Sequence, residues 1–226
     1  CFKVELNHQS GKGLEAEARQ RRYEAISGLL EGGATLLTAH HADDQAETLL
    51  LNLMRGSGVD GLSAMPERRS LGNGFLQRPL LEFQNDDLIE YLNDNKVEWI
   101  DDPSNQYLNH DRNFVRHELI PLMSHRWPSV NKRLLLTCKA MTDARELLEQ
   151  LAGEYLESNS DHSNVLQLMP QLLSDNRLFR LVVRQWTRMS GAPPIPARRL
   201  EGFTEQVAKA GANSKAELSW DGWLLR

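Results

Sequence analysis

A short segment rich in ionisable side chains constrains the fold of this chain more than any other feature. Residues 38–48 contain two histidines, two aspartates and one glutamate. The preceding residues 34–39 are mostly apolar and follow two glycines, which is typical of a buried parallel strand. In residues 49–54 leucines recur at helical spacing, and Gly56 is suited to end that helix. The order strand, turn, helix indicates an α/β sheet with the ionisable segment at the carboxyl end of a strand, where such sheets bind ligands.

The spacing of the acidic residues in this segment predicts a pocket for a cation. A helix that begins near Ala42 places Asp44 and Glu47 three residues apart on one face, with His40 just before them. Alternatively, the acids only satisfy free N–H groups at the helix start, which stabilises a protein by about 0.3–1 kcal/mol per charge. Capping needs one carboxylate, and it does not explain two histidines and a further acid. We therefore favour a binding function.

Composition excludes some classes of protein. With a formal net charge of −5 and a pI near 5.8, the chain is not an overall basic nucleic-acid binder, so any RNA contact must come from local clusters. Cys1 and Cys138 form no CxxC motif, which fits a reducing compartment. No apolar run approaches the roughly 20 residues that cross a bilayer. We expect a cytoplasmic protein with no membrane partner.

The order of elements predicts two domains. Residues 1–6 alternate like a strand, residues 14–30 are predicted to be helical, and the strand and helix described above follow, which implies a parallel sheet with right-handed crossovers. Residues 58–74 are turn-rich, and residues 75–81 resemble an edge strand. Residues 97–100 are predicted as a last short strand.

The second half of the chain is predicted to be mostly helical. After Trp127 and Pro128 the sequence pattern becomes that of helices, and only residues 216–220 resemble a strand. The predicted fold class is therefore α/β, with a partial Rossmann-like parallel sheet, followed by an all-α domain. We place the domains at residues 1–124 and 125–226.

A basic helix face in the second domain is a candidate RNA-binding surface. Residues 175–189 carry apolar side chains on one side and four arginines on the other. Phosphate contacts dominate nucleic-acid affinity, although charged helix faces usually just meet solvent. We favour RNA contact, because the row of arginines on this helix face contains no acidic residue. The residues are Arg177, Arg180, Arg184 and Arg188.

Four motifs together resemble one known family. They are Glu-Ala-Arg-Gln-Arg-Arg-Tyr at residues 17–23, His-His-Ala-Asp-Asp-Gln-Ala-Glu-Thr at 40–48, Arg-Gly-Ser-Gly at 55–58 followed by Gly61 and Leu62, and Asp-Arg-Asn-Phe at 111–114. In order and spacing the chain resembles the tRNA(Ile)-lysidine synthetases, which belong to the PP-loop, or N-type ATP pyrophosphatase, proteins. The resemblance covers nearly the whole chain, and the helical half looks like the family's tRNA-contacting domain.

The resemblance implies a ligase that uses ATP and Mg²⁺ to join L-lysine to the wobble cytidine of tRNA(Ile) with anticodon CAU. The product is lysidine, and the intermediate is an adenylated tRNA. Paired carboxylates suit the ammonium groups of lysine, and an arginine suits its α-carboxylate. A neighbouring histidine or carboxylate could take the proton of the attacking amine, which implies a catalytic role for Asp44 and His40. The implied lysine-binding residues are Arg22, His40, Asp44, Glu47 and Arg112.

One departure from the family concerns the extent of the chain. The family's Ser-Gly-Gly-x-Asp-Ser loop, which holds the ATP phosphates, does not occur in these residues. We expect it upstream of Cys1, and we expect the family's C-terminal domain to be shortened at Arg226. The chain is then a fragment that does not catalyse adenylation by itself. Whether the protein forms a homodimer stays open.

Two other functions are compatible with the residues. In the first, the segment at residues 40–47 supplies metal ligands to a metal-dependent phosphoester hydrolase, since histidine and carboxylate ligands suit zinc, manganese or iron. In the second, the chain is a non-catalytic tRNA-binding module that uses the four-arginine face. The metal ligands of the first alternative are His40, His41, Asp43, Asp44 and Glu47.

Overall fold

The computed structural model describes residues 14–100, 102, 107, 110–159, 165–209 and 216–226. The chain divides into two compact units, Cys1–Thr142 and Asp143–Arg226. The strand predicted for residues 1–6 lies outside the described residues. The domain division at residues 124 and 125 stays a prediction.

The first unit combines a small sheet with several helices. In chain order its elements are α1 (Leu14–Ser27), β1 (Thr35–Leu37), α2 (Ala42–Met54), α3 (Val59–Leu62), β2 (Arg68–Leu71), β3 (Gly74–Gln77), α4 (Asn85–Asp94), α5 (Asp111–Phe114), a π-helical turn (Val115–Leu119) and α6 (Ile120–Arg126). Helix α7 (Val130–Asn159) begins in this unit and ends in the second.

The three described strands of the first unit form a mixed sheet in the order β1-β3-β2. β1 is parallel to β3, and β2 is antiparallel to β3. The predicted parallel pairing with residues 1–6 lies outside the described residues. The prediction that residues 75–81 form an edge strand is wrong, because β2 pairs with the other side of β3. The sequence analysis assigned β2 to turns. A two-residue turn joins the hairpin, and Gly72 at its first central position has φ +56°, a conformation that side chains disfavour.

Two other strand predictions need correction. Residues 97–100 form no strand, because this described segment joins neither sheet ladder. β1 occurs where a strand was predicted, but it is not buried, and Leu37 is 64% exposed. The strand is only three residues long, and among the described strands it pairs with β3 alone.

Helix α2 lies at the centre of the first unit. It begins at Ala42, as predicted, and Gly56 follows its end with φ +71°. Ala46 and Leu50 are buried against Val115 and Ile120 from the π-helical turn and α6. This contact fixes α2 beside the helical segment that directly follows the Asp-Arg-Asn-Phe motif of α5.

Two amide side chains of α2 hold the segment that follows it. Gln45 Nε2 donates to the carbonyl of Met65 at 2.8 Å, and Gln45 Oε1 accepts from the N–H of Met65 at 2.8 Å. Asn52 Nδ2 donates to the carbonyl of Gly61 at 2.8 Å. Each amide replaces a backbone partner that the loop cannot provide itself.

The described part of the second unit is mainly helical and ends in a hairpin. After α7 it contains α8 (Pro170–Ser174), α9 (Asn176–Met189), α10 (Ala197–Lys209), β4 (Leu218–Trp220) and β5 (Trp223–Leu225). The predicted strand at 216–220 is thus confirmed as β4, which pairs antiparallel with β5. Phe179, Val182 and Val183 of α9 are buried in the core with Leu200 and Trp220. No helix in the described part of the chain has the length and apolarity needed to span a bilayer.

Candidate active site

Asp44 and Glu47 lie in the first turns of α2, on the face that the sequence predicts. Both carboxylates are buried, and Glu47 is only 1% exposed. A buried carboxylate is costly unless hydrogen bonds and an opposite charge compensate it. The compensation comes from two arginines distant in the sequence.

Arg112 and Arg116 bind both carboxylates. Arg112 donates from Nε to Glu47 Oε2 at 2.7 Å and from Nη2 to Asp44 Oδ1 at 3.1 Å. Arg116 donates from Nε to Glu47 Oε1 at 2.6 Å and from Nη2 to Asp44 Oδ1 at 3.1 Å. We call these four residues the arginine–carboxylate network. Two positive and two negative charges balance in it, so the cation pocket predicted from the sequence is occupied by the protein's own guanidinium groups.

The helical geometry of residues 111–119 explains why both arginines reach the same carboxylates. Arg112 belongs to α5 and Arg116 to the π-helical turn, so the two residues are spaced i, i+4 and share one face. Burial alone would lower the pKa of the Arg116 guanidinium, but the hydrogen bond and charge of Glu47 and the charge of Asp44 outweigh burial and raise it. The sequence analysis missed Arg116, although its spacing from Arg112 was a usable signal.

His41 and Asp43 form a second, smaller cluster at the start of α2. The His41 backbone N–H donates to Asp44 Oδ2 at 3.0 Å, and His41 Nδ1 lies 3.4 Å from Asp43 Oδ2. Asp43 also accepts hydrogen bonds from the backbone N–H of Asn85 and from Nδ2 of Asn131, both at 2.8 Å. Asp43 thus ties α2 to α4 and α7. Its contact with His41 lowers the pKa of Asp43 and raises the pKa of His41.

His40 has a different environment from its neighbour. Its ring is half-buried, and Nδ1 lies 2.9 Å from the hydroxyl of Thr38. Burial lowers the pKa of His40, and the positive charges of Arg78, Arg19 and Arg112 lower it further, although the charge of Asp44 opposes them. Because the ordinary value is already 6.5, the imidazole is mainly neutral at pH 7.

The structure brings together most, but not all, of the residues implied in lysine binding. Asp44, Glu47 and Arg112 are in direct contact, and His40 lies within the electrostatic influence of Asp44 and Arg112. Arg22 is exposed on α1 and forms no hydrogen bond or ion pair with any described residue of the network.

The geometry does not support the metal-site alternative. Among the described residues, no group of three histidine, cysteine, aspartate or glutamate side chains is placed to hold a metal ion. His40, His41, Asp43, Asp44 and Glu47 are all described. Within this set, Asp44 and Glu47 already bind two arginines each, which leaves their lone pairs directed at guanidinium groups.

The four-arginine face of α9 is only partly compensated. At its first turn Arg177 binds the helix-capping Asp175, which lowers the pKa of that carboxyl to about 2. At its last turn Arg188 contacts Glu149 of α7, an acid that the sequence pattern of α9 does not reveal. Arg180 and Arg184 are half-buried and form no ion pair with a described carboxylate. The middle of the face therefore presents two positive charges that no described carboxylate compensates.

Comparison with protein families supplies the context for this site. Residues 2–123 match the model of the PP-loop domain, which is more than half of the chain. The chain belongs to the PP-loop family. Residues 173–226, which include α9 and the terminal hairpin, match the model of the TilS substrate binding domain.

Curated relatives agree with both matches. The chain is similar to the tRNA(Ile)-lysidine synthase of Alkalilimnicola ehrlichii, with 43% identity over 99% of this chain and 50% of the relative. It is also similar to the tRNA(Ile)-lysidine synthase of Coxiella burnetii, with 38% identity over 96% of this chain and 48% of the relative. For the enzyme of Methylococcus capsulatus the identity is 35% over 100% of this chain and 52% of the relative. These matches confirm the resemblance drawn from the motifs. The chain spans about half the length of these relatives.

Proposed function

We propose that the protein containing this chain joins L-lysine to the wobble cytidine of tRNA(Ile) with anticodon CAU, using ATP and passing through an adenylated tRNA. Family membership supports the use of ATP, and the names of the relatives support lysidine formation. The observation that carries the proposal is the arginine–carboxylate network. It combines buried carboxylates for an ammonium group with guanidinium groups for a carboxylate, and lysine presents both kinds of charge.

Lysine would bind the network by exchange of partners. An ammonium group of lysine takes the place of one guanidinium on Asp44 and Glu47, and the released guanidinium receives the α-carboxylate. Arg116 is the more exposed of the two arginines, with 32% of its side chain accessible against 21% for Arg112, so it is the arginine we expect to move. Exchange keeps every buried charge paired. We assign exposed Arg22 of α1 to the same substrate.

His40 is suited to take the proton of the attacking amine. Its lowered pKa keeps the imidazole neutral and able to accept a proton at pH 7. After deprotonation, the lysine amine forms a C–N bond at the C2 carbon of the cytidine, and the C–O bond to the departing AMP breaks. Asp44 lies beside His40 and orients the amine.

The residues of this chain do not include the Ser-Gly-Gly-x-Asp-Ser sequence, so we assign no ATP phosphate or Mg²⁺ contact to α2 or the network. In the second unit we propose that Arg177, Arg180, Arg184 and Arg188 contact tRNA phosphates. The match of this region to a substrate binding domain supports that role.

The test is transfer of labelled lysine by the full-length protein supplied with ATP, Mg²⁺ and the CAU tRNA. We expect Asp44→Asn to raise the KM for lysine by about 10- to 100-fold, because a hydrogen bond to a charged group contributes about 1.5–3 kcal/mol. Pyrophosphate release that depends on tRNA should change much less. Asp43→Asn is the matched control, since Asp43 contacts Asn85 and Asn131 rather than the network.

Three outcomes would contradict the proposal. No lysine transfer by the full-length protein would exclude the reaction, and equal effects of Asp44→Asn on lysine use and on pyrophosphate release would exclude the lysine site. Tight binding of tRNA that is independent of lysine, without any transfer, would instead favour the non-catalytic tRNA-binding module.

A further inference from the structure

A basic site that is separate from the four-arginine face lies beside the arginine–carboxylate network, in a cleft between α1 and the β2–β3 hairpin. Its volume is about 540 Å³. Arg19 and Tyr23 of α1 line one side, Arg69 of β2 lines the other, and Arg78 follows β3. We call it the α1–hairpin cleft. Arg19 and Tyr23 belong to the motif at residues 17–23, whereas Arg69 and Arg78 belong to none of the four motifs and not to the four-arginine face.

The turn of the hairpin sets the width of the cleft. Gly72 lines it and has φ +56°, and a Cβ atom added there would lie 2.6 Å from the carbonyl oxygen of Ser27 at the end of α1. Only glycine permits this backbone conformation and this close approach together. The hairpin therefore sits directly against the end of α1, with the guanidinium groups of β2 and α1 on the same cleft.

Arg78 is a buried cation without an ionic partner in the described chain. It is 3% exposed, and its Nη1 donates to the carbonyl of Pro66 at 2.7 Å. Its Nε has no hydrogen-bond partner among the described residues. A buried guanidinium stays charged, and a buried charge that lacks a counter-charge is costly. An anion in the cleft would supply both the charge and the missing acceptor.

Arg19 and Arg69 add positive charge around an aromatic ring. Their guanidinium carbons lie 5.9 and 5.2 Å from the centroid of the Tyr23 ring. Among the described residues that line the cleft, Glu24 is the sole acid, and it accepts hydrogen bonds from Gln20 and Arg21. Neither Arg19 nor Arg69 forms an ion pair with a described carboxylate. The cleft thus holds three cations and an acid that is directed at other partners.

We propose that the α1–hairpin cleft binds a phosphate group, supplied by an RNA backbone or by a nucleotide, through Arg19, Arg69 and the unpaired Nε of Arg78. Guanidinium groups recognise phosphate by paired hydrogen bonds. Arg19 and Arg78 also act electrostatically on His40, which places the cleft next to the candidate active site. That tRNA is the natural source of the phosphate rests on the proposed function.

Two neighbouring arginines of β2 provide a matched test. Arg69 lines the cleft, whereas the guanidinium carbon of Arg68 lies 3.9 Å from the centroid of the Phe75 ring, away from the cleft lining. In the full-length protein, without lysine, affinity would be measured for an anticodon stem-loop RNA with CAU and, separately, for ATP. We expect Arg69→Gln to weaken binding of one probe about 3- to 10-fold and to reduce its salt dependence by about one phosphate contact, while Arg68→Gln leaves both affinities unchanged.

Arg78→Lys and Arg78→Gln give a second measurement. Both variants remove the guanidinium, but Lys keeps the charge, so we expect Arg78→Lys to retain more affinity than Arg78→Gln. Because Arg78 is buried, its variants can also unfold the protein, and the exposed Arg69 keeps the proposal testable in that case.

Each outcome decides the proposal. A selective effect of Arg69→Gln on the RNA identifies a backbone phosphate, and a selective effect on ATP identifies a nucleotide phosphate. Equal effects of Arg68→Gln and Arg69→Gln on affinity, or no effect of either, would contradict the proposal that the cleft binds phosphate. Lysine transfer by the full-length protein is measured separately. If transfer is intact but Arg69→Gln changes neither affinity, only the phosphate site in the cleft is rejected. If Arg69→Gln selectively weakens RNA binding but no lysine is transferred, only the proposed function is rejected.

Discussion

Arg112 and Arg116 in the first unit, like Arg180 and Arg184 in the second, are spaced four residues apart on a helical segment. In the first pair, each guanidinium binds both Asp44 and Glu47. In the second pair, neither arginine forms an ion pair with a described carboxylate, and compensation occurs only at the two ends of the face, from Asp175 and Glu149. The same residue type at the same spacing therefore supports two different uses of charge.

The difference follows from burial. Carboxylates as buried as Glu47 can exist in the fold only with their charges paired, so the first pair is required for stability as well as for a binding site. The second pair lies at the boundary of a core formed by the other side of α9, where water can solvate the charge. Charge that is not needed for folding is available for a ligand.

Removing the buried carboxylate should have the largest effect. We expect Glu47→Gln to lower the free energy of unfolding of the first unit by about 3 kcal/mol, the low end for breaking a buried pair, because both arginines are partly solvated. Hydrogen exchange of the α2 amides measures this locally. Glu90→Gln on the exposed face of α4 is the control, with an expected change within about 0.5 kcal/mol. If both variants exchange at the same rate, the network does not support the fold and the comparison fails.

Neutralising the second pair should change binding and leave stability nearly unaltered. We expect the Arg180→Gln, Arg184→Gln double variant to bind tRNA about tenfold more weakly at 0.1 M salt, with the salt dependence reduced by about two phosphate contacts. The free energy of unfolding should stay within about 1 kcal/mol of the parent. Titration of tRNA binding at several salt concentrations measures the first effect, and urea denaturation the second.

A control with the same loss of charge separates the face from bulk electrostatics. Arg198→Gln with Lys209→Gln removes two positive charges from α10 in the same unit, and both residues are exposed. If this variant weakens tRNA binding as much as the α9 variant, the position of the arginines has no importance. If the Arg180→Gln, Arg184→Gln variant unfolds instead, these two arginines are needed for stability, as we infer for Arg112 and Arg116.

The contrast also shows which features sequence reasoning could reach. Helix α2 could be predicted with both ends, since Gly56 and the leucine spacing are local signals. The partners of its carboxylates could not be predicted from local pattern, because Arg112 lies 65 residues further along the chain than Glu47. Only the family resemblance suggested Arg112. Arg116 could have been added from its helical spacing to Arg112.

The α1–hairpin cleft was missed for a different reason. The Gly72-Asn73 pair between two short runs is a hairpin signal, but the flanking Arg68, Arg69 and Ser70 do not alternate like a half-buried strand. The arginines meet in space only when β2 pairs with β3 and its turn packs on α1. Similarly, Glu149 of α7 reaches Arg188 of α9 from 39 residues away, so the pattern of α9 alone could not show it.

The adjacent histidines at the start of α2 offer the most sensitive test of how the first unit separates its charges. His41 faces Asp43 and Asp44, and its contact with Asp43 raises its pKa, whereas burial and the nearby arginines lower the pKa of His40. We expect the imidazole signals to titrate on opposite sides of the ordinary value of 6.5 in an NMR experiment, with His41→Ala and His40→Ala variants to assign them. Identical midpoints would show that the acidic and basic groups are not separated as the structure implies.

The sign of the effect on stability follows from the same shifts. Because the pKa of folded His41 lies above 6.5, its contribution to the free energy of unfolding is complete below pH 6.5. That contribution is lost as the pH rises through the pKa of the folded state. The lowered pKa of Asp43 gives the opposite dependence, complete above 3.8 and lost as the pH falls through its folded value. The stability difference between the parent and His41→Ala should therefore be largest between about pH 5 and 6 and should shrink as the pH rises through the folded pKa of His41, above 6.5. A difference that grows with pH would mean that His41 is stabilised as the neutral imidazole, and that the negative charge at the start of α2 is fully taken up by Arg112 and Arg116.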